Sequence, residues 1–461
     1  MSHRRREVGP RFEVVGRARP FEVVSPGFVV AESEASTYDG LRRSDFSPPA
    51  PFAAVEVSVE DSRGTVLAGL ASGRDEHLLA GYDVASGRVG IEHRAGGMST
   101  VLASSRVRRR VRRMAFVLCE NQPTVLVDTG RGWRPVVTDR RRVALRTDFR
   151  VPGTLARFTA AWGSRGGTST LGPVRAGLFG MAGLRDLHLV QHADGTPYVR
   201  DGRMFLTATC AGLGFFTQAH WGVFAFDPDA LAEGDIRLEQ TAHLFSHRNG
   251  LLLGDHAGQL VRDGDTWLVG VSSWGDFAPH RGPFVRHATT TGDLLSGVHV
   301  LDTELAPMPT GRGSYDPGMT RIDGRWFVSY VESVSHRPSR FHPALAVGPV
   351  GATHWTEGLQ RVGEVPELPF CEGPVIARPD APDGEWRVLA SDGRARRYRV
   401  FDLTMRRLGD LAAPYDTNLP HPQIIDLPGG QRVMVTFDGS PYGKRVLGYG
   451  THGDVLVMRA T

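Results

Sequence analysis

The strongest constraint in this 461-residue chain is an internal repeat. From about residue 185 a unit returns at intervals of about 50–60 residues. It starts with a polar residue, runs through a short stretch, passes a turn containing glycine and enters an apolar strand. The copies begin at Asp194, Asp255, Asp316, Glu372 and His421. Their turns fall at Asp201-Gly202, Asp263-Gly264, Asp323-Gly324, Asp383-Gly384 and Gly429-Gly430. Asp-Gly suits the left-handed positions of a two-residue hairpin turn. A unit of this length with one such hairpin matches a four-stranded propeller blade with its loops. Five copies therefore predict a five-bladed β-propeller over residues 184–461. Spaced strands could also build a sandwich, but a sandwich does not explain a polar residue returning at one phase of every copy. In a propeller that phase is the start of the innermost strand, facing the central channel.

Residues 1–183 do not show the repeat. Strands are predicted at 52–59, 66–71, 78–83, 114–119 and 124–128, with turns at Asp39-Gly40, Ser62-Arg63-Gly64 and Gly96-Gly97. This spacing suggests a β-sandwich, and the order of strands and turns resembles a concanavalin-like jelly roll. The segment 176–190 reads as the last sandwich strand passing into the first blade. Apolar-polar alternation at 54–59 and 433–437 predicts half-buried strands. The best helical pattern, around 229–233, covers one or two turns. The expectation is an all-β chain of two domains, a sandwich at 1–183 and a propeller at 184–461.

Hydrophobic residues make up 41% and charged residues 23%, which excludes a mainly disordered chain. No stretch approaches the ~18–20 apolar residues of a membrane span. The Arg-rich start has no apolar stretch behind it, so no secretory signal is visible and a cytoplasmic location is expected. Cys119, Cys210 and Cys371 form no C-x-x-C pair and no disulfide framework, which argues against a cysteine-based zinc site. The net charge of +4 is mild. The densest basic run, Arg106, Arg108, Arg109, Arg110, Arg112 and Arg113, is read as a solvated strand edge. No nucleic-acid module accompanies it, so no nucleic-acid partner is expected.

If the repeat is a propeller, four carboxyls and an imidazole converge on one end of the channel. Such crowding is costly unless it is used. It is also how a site drives one carboxyl pKa up and leaves another down, the requirement for cleaving a glycosidic bond. Here the sequence resembles the five-bladed propeller glycosidases of family 43 and the wider group with family 32. Glu372-Gly373-Pro374 is similar to the general acid motif of that group, and Asp316-Pro317 to the aspartate that tunes and orients the acid. By position, the resemblance makes Asp194 the catalytic base, although its His-Ala-Asp-Gly setting lacks the usual following proline. The sandwich precedes the propeller here, whereas the familiar arrangement puts it after.

The resemblance implies an inverting hydrolase acting on a furanoside or pentoside such as an arabinoside, with carbohydrate as its partner. The alternatives are a retaining fructan-type hydrolase, transferase or phosphorylase, a non-catalytic carbohydrate-binding propeller, and a propeller recruited to biosynthetic acid-base chemistry. Sugar rings pack on aromatic faces, so Phe215, Phe216, Trp221, Trp274, Phe277 and Phe370 are candidate platforms. His220, Arg248, Asn249 and Arg281 are candidates for binding hydroxyls, and Asp255 for a further carboxylate contact. Trp267, Trp326 and Trp386 fall in repeat strands and are expected in the blade core. For His421 the resemblance offers a role near a calcium ion, but a hydrogen-bonded structural role is favoured, and no cofactor is expected. Motifs for phosphate loops, zinc proteases and serine hydrolases are absent.

Overall fold

The computed structural model describes residues 6–73, 75–280, 282–448 and 450–461. The repeat folds as five antiparallel four-stranded units. Blade 1 comprises Leu184–Leu189, Arg203–Cys210, His220–Phe226 and Glu239–Arg248. Blade 2 is built on His256–Asp263, Thr266–Ser272, Val285–Thr290 and Glu304–Leu305. Blade 3 uses Gly313–Ile322, Arg325–His336, Ser339–Val347 and Gln360–Glu364. Blade 4 uses Cys371–Ala377, Arg387–Asp392, Arg397–Phe401 and Arg407–Ala412. The innermost strands pack on one another in sequence, and Gln423–Asp426 of blade 5 returns to Leu184–Leu189 of blade 1. The result is a closed five-bladed propeller.

Closure uses both ends of the chain. Blade 5 consists of Gln423–Asp426, Arg432–Pro441, His452–Ala460 and, outermost, Glu7–Ala18. The N-terminal strand pairs antiparallel with the C-terminal one, Phe12 opposite Ala460 and Ala18 opposite Val455. Its first residues also pair in parallel with blade 4, Glu7 opposite Asp410. This corrects the expectation that the sandwich begins at residue 1. The N-terminal strand has no copy of the repeat, and only its pairing with His452–Ala460 at the other end of the chain makes it part of a blade.

Between neighbouring blades lie separate apolar cores. Leu187, Phe224, Val433 and Val455 join blades 1 and 5. Met319, Trp326 and Tyr330 pack on Val261 and Leu268 between blades 2 and 3. Phe12 is 1% exposed, wedged among Leu389 and Tyr398 of blade 4 and Met434 and Leu456 of blade 5. Trp267 and Trp326 are buried, and Trp386 is partly buried against the core of blades 3 and 4.

The sandwich has two sheets. One runs Trp133–Thr138, Gln122–Asp128, Arg113–Cys119, Phe52–Ser62, Ser169–Met181 and Glu22–Ser33. The other runs Leu41–Arg43, Thr159–Arg165, Thr65–Ser72, Glu76–Asp83, Arg88–Ala95 and Met98–Arg106. Val55, Val57, Phe116, Leu70, Leu78 and Ile91 fill the space between them. The strand at 52–62 alternates in sequence but is buried on both sides up to Val57. Its second face, with Phe52, Ala54, Val117 and Leu126, packs on Leu213 and Phe245 of the propeller. The strand at 432–441 is likewise buried on both faces over 433–437, because blades cover each other. The short helix forms at Pro228–Ala232, capped by the Asp227 carboxylate accepting from the Asp229 amide at 2.9 Å. The Arg106–Arg113 run is a loop between strands rather than an edge. Buried Val107 and Val111 anchor it, and Arg108, Arg109 and Arg110 face solvent.

Phe12 tests the closure. Truncation to Ala is expected to cost about 3–5 kcal/mol, read as a lower urea midpoint. An unchanged midpoint would show that the N-terminal strand does not hold the ring.

Candidate active site

The innermost strands share a local device. Each of the first four carries an irregularity in its pairing with the next strand, between Arg185 and His188, His256 and Gln259, Tyr315 and Gly318, and Glu372 and Val375. Within each bulge one residue has a left-handed backbone: Asp186 (φ 51°), Ala257 (φ 52°), Asp316 (φ 53°) and Gly373 (φ 64°). A bulge re-aims the side chains beside it. Four bulges in register turn Arg185, Asp186, His256, Tyr315, Asp316 and Glu372 into one cavity of about 560 Å3. At blade 4 the left-handed residue must be glycine, because a side chain at Gly373 would collide with the His421 ring.

This geometry corrects the position expected for the base. Asp194 is exposed on a turn, where its carboxylate accepts from the Thr196 amide at 3.0 Å and hydroxyl at 2.6 Å. It does not line the cavity. The carboxylate at the blade 1 position is Asp186. After the innermost strand of blade 1 the chain detours, pairing Gln191 in parallel with Val261 of blade 2 before reaching the Asp201-Gly202 hairpin. Counting back from that hairpin at the spacing of the later blades therefore lands eight residues late. The signal that could have found Asp186 is the pair Arg185-Asp186 entering an apolar strand.

Asp186 and Asp316 of the cavity lining both meet His421. The His421 Nε2 lies 3.7 Å from Asp186 Oδ1 and 3.4 Å from Asp316 Oδ2. Arg185 Nε is 3.4 Å and His256 Nδ1 3.9 Å from Asp186 Oδ2. The Gly373 amide donates to Asp316, and the Tyr315 hydroxyl donates to Glu372 Oε2 at 3.0 Å.

The electrostatics separate the three carboxyls. Burial would raise Asp186, but His421, Arg185 and His256 outweigh it and hold this carboxyl below its ordinary range. Glu372 goes the other way. Burial and then the Asp186 charge push it up to about 8. Asp316 is also raised well above its ordinary value, by burial and by the charges of Glu372 and Asp186. Burial lowers His421, against the upward pull of the Asp186 charge. One cavity thus holds an ionised carboxylate and a protonated carboxylic acid at neutral pH.

The remaining expectations divide cleanly. Phe215, Phe216, Trp274, Phe277 and Phe370 line the cavity. Asp255 does not. It is buried in a two-pronged ion pair with Arg248, at 2.7 and 2.8 Å, and accepts from the Gly275 amide. Arg248 also binds Asp276, so both residues brace a loop and are not candidates for substrate contact. His220 is buried at the junction with the sandwich, 3.0 Å from His243 and packed on Phe52. Trp221 is 2% exposed in the core between blades 1 and 2. His421 lies just beneath the floor. Asn249 is exposed on a left-handed hairpin turn, and Arg281 lies outside the described residues. The sequence reading missed Arg185, Asp186, His256 and Tyr315.

No protein-family model matches the chain, and no curated protein matches it. Among solved structures it is similar to a thermostable family-43 glycoside hydrolase, at 13% identity and TM-score 0.41 over 60% of this chain and 89% of that one. It is also similar to the GH43_1 enzyme from Xanthomonas citri complexed with xylotriose, at 14% identity and TM-score 0.41 over 59% and 88%. A third is the α-L-arabinanase of Penicillium chrysogenum complexed with arabinobiose, at 12% identity and TM-score 0.37 over 94% and 99%. At these identities and scores, function is argued from the site itself.

Glu372 makes the fold sensitive to pH. Its carboxyl is protonated in the folded chain up to about 8, whereas an unfolded glutamate ionises near 4.3. Between those values the folded state binds the extra proton, so stability falls as pH rises. Glu372→Gln removes this dependence. The variant is expected to be more thermostable than wild type at pH 8–9 and nearly equal to it at pH 4.5. Equal melting profiles at both pH values would show that Glu372 is ionised in the folded protein.

Proposed function

We propose that the chain is a glycoside hydrolase with Glu372 as general acid and Asp186 as general base. The observation that carries this reading is the pairing, in one cavity, of a carboxyl kept protonated with a carboxylate kept ionised. Glu372 has the proton that a departing sugar oxygen needs. Withdrawal from water and the nearby Asp186 charge keep it there near pH 7. Asp186, held ionised by His421, Arg185 and His256, can take the proton of a water that attacks the anomeric carbon. That division of labour is the inverting one. Asp316, hydrogen-bonded by the Gly373 amide and facing His421, serves to position the pair. Arg185 lies 3.4 Å from Asp186 through Nε and donates to the Gly450 carbonyl through Nη1, while its Nη2 is buried without a hydrogen-bond partner among the described residues. The substrate is a furanoside or pentoside, a choice that rests on the resemblance of Asp316-Pro317 and Glu372-Gly373-Pro374 to the family 43 motifs.

The two roles are separable by experiment. The kcat/KM profile is expected to hold level below pH 7 and to fall tenfold per unit above about 8, as Glu372 loses its proton. Its acid limb should lie below the ordinary carboxylate range. Asp186→Asn should abolish turnover of every glycoside. Glu372→Gln should lose about 10²–10⁴ in kcat on alkyl glycosides, but much less on a dinitrophenyl glycoside, whose leaving group needs no proton. Equal losses on both substrates would reject Glu372 as the acid. Full activity in Asp186→Asn would reject the base.

A further inference from the structure

One bulge supplies two of the groups that face Glu372. Tyr315 and Asp316 are consecutive, and the irregularity between Tyr315 and Gly318 brings both to the acid of the next blade. The bulge is pinned from behind. The Asp316 amide donates to Ser272 Oγ at 2.9 Å, and that hydroxyl donates to the Ala257 carbonyl at 2.9 Å. The Tyr315 ring is fixed as well. It is 4% exposed, with Trp274 edge-on at 5.2 Å and Phe341 at 6.3 Å. Glu372 is a longer and more flexible side chain, half-buried in the cavity wall. Among the described residues its carboxyl has one hydrogen bond, accepted at Oε2 from the Tyr315 hydroxyl at 3.0 Å.

That bond makes the two oxygens of the acid unequal. A protonated carboxyl has one hydroxyl oxygen, the donor, and one carbonyl oxygen, the better acceptor. A phenol that donates to Oε2 makes Oε2 the carbonyl and leaves the proton on Oε1. Oε1 has no hydrogen bond among the described residues, so it is the oxygen free to meet a leaving group. The bond also changes strength along the reaction. As the proton departs, Glu372 becomes a carboxylate, and a hydrogen bond to a charged acceptor is roughly twice as strong as a neutral one. An interaction that is stronger in the transition state than in the ground state accelerates the chemical step.

Resting on the glycosidase reading above, we propose that Tyr315 is the positioning residue of the general acid. Its hydroxyl sets which oxygen of Glu372 carries the proton and stabilises the carboxylate that forms as the proton leaves. The proton passes from Glu372 Oε1 to the glycosidic oxygen. The bond from that oxygen to the anomeric carbon breaks, and the oxygen keeps the electron pair. Solvent later restores the proton to Glu372. Tyr315 keeps its own proton throughout, because burial and the neighbouring Glu372 and Asp316 charges hold its phenol well above the ordinary value.

Tyr315→Phe tests this, since it keeps the ring and removes the hydroxyl. Methyl and 2,4-dinitrophenyl glycosides are compared, as α-L-arabinofuranosides, β-D-xylosides and further common sugars. On the methyl glycoside kcat should fall about tenfold with KM little changed. The dinitrophenyl glycoside should lose much less, because its leaving group needs no proton. The other groups that act on Glu372 stay in place: Asp186 and Arg185 on blade 1, Asp316 on blade 3, Cys371 on its own strand and Tyr415 on the loop before blade 5. The pH profile therefore reads the hydroxyl alone. Donation to a carboxylate favours its ionised form, so the alkaline limb of kcat/KM on the methyl glycoside should move to higher pH in Tyr315→Phe. Replacing Tyr315 by 3-fluorotyrosine, a stronger donor of nearly the same size, should move it to lower pH and decides the matter if the Phe variant fails to fold. Unmoved limbs, or equal losses on the two leaving groups, would overturn the positioning role while leaving the hydrolase reading intact. No cleavage of any member by wild type, or full activity of Glu372→Gln on the methyl glycoside, would overturn the reading of Glu372 as the acid, and the inference with it.

Discussion

Four left-handed residues at one phase of the propeller, Asp186, Ala257, Asp316 and Gly373, are what the cavity depends on. A regular strand alternates its side chains between the two faces of the sheet, where they pack on the neighbouring blades. A bulge breaks that alternation and turns consecutive side chains towards the channel end. A left-handed backbone is uncommon outside glycine and is tolerated best by Asn and Asp among the rest. Two of the four positions are aspartates. The same residue type thus suits the strained backbone and carries charge into the cavity. Local strain of this kind, about 1–3 kcal/mol at each such residue, persists only where the surroundings enforce it. Here the inter-blade cores on both sides do so.

The ring itself is held shut by the most distant pairing in the chain. The N-terminal strand completes the last blade, and Arg17 on it binds Asp454 at 2.8 Å as well as Asp438 and Asp416. The chain then crosses into the sandwich and returns to start blade 1. The sandwich is braced against the propeller by Phe52 stacked on Phe245 at 5.5 Å and by the Glu120 carboxyl accepting from the Gly254 amide at 2.8 Å. Burial raises the Glu120 pKa well above its ordinary value.

Two aspartates show why charge in a sequence does not by itself place a residue in the cavity. Asp255 and Asp186 both stand near the start of an innermost strand. Asp255 is gripped in the plane of the Arg248 guanidinium and backed by an amide, which leaves it no chemistry to perform. Asp186 has two imidazoles and one arginine nearby, at 3.4–3.9 Å and in no such paired grip. It stays ionised with its edge open to the cavity. Which aspartate is spent on structure depends on where Arg248 comes to rest, and Arg248 lies on the outer strand of blade 1, not beside Asp186.

The sequence by itself determined the strand content, the five-fold repeat and, at two of three positions, the carboxyls of the site. These features are written in local terms: the Asp-Gly and Gly-Gly turns, the apolar runs after them, and the Asp-Pro and Glu-Gly-Pro steps that need particular backbone angles. Only the tertiary structure decided the rest. The detour through Gln191 shifted the phase of blade 1, so the carboxylate that lines the cavity there is Asp186 and not Asp194. The N-terminal strand joined the last blade, because its hydrogen bonds are satisfied by a partner at the other end of the chain. His220 and Trp221 became packing, while Tyr315 and His256 became cavity wall. In each case a residue's role was set by what faced it across a sheet or a blade junction, and that partner lies tens to hundreds of residues away.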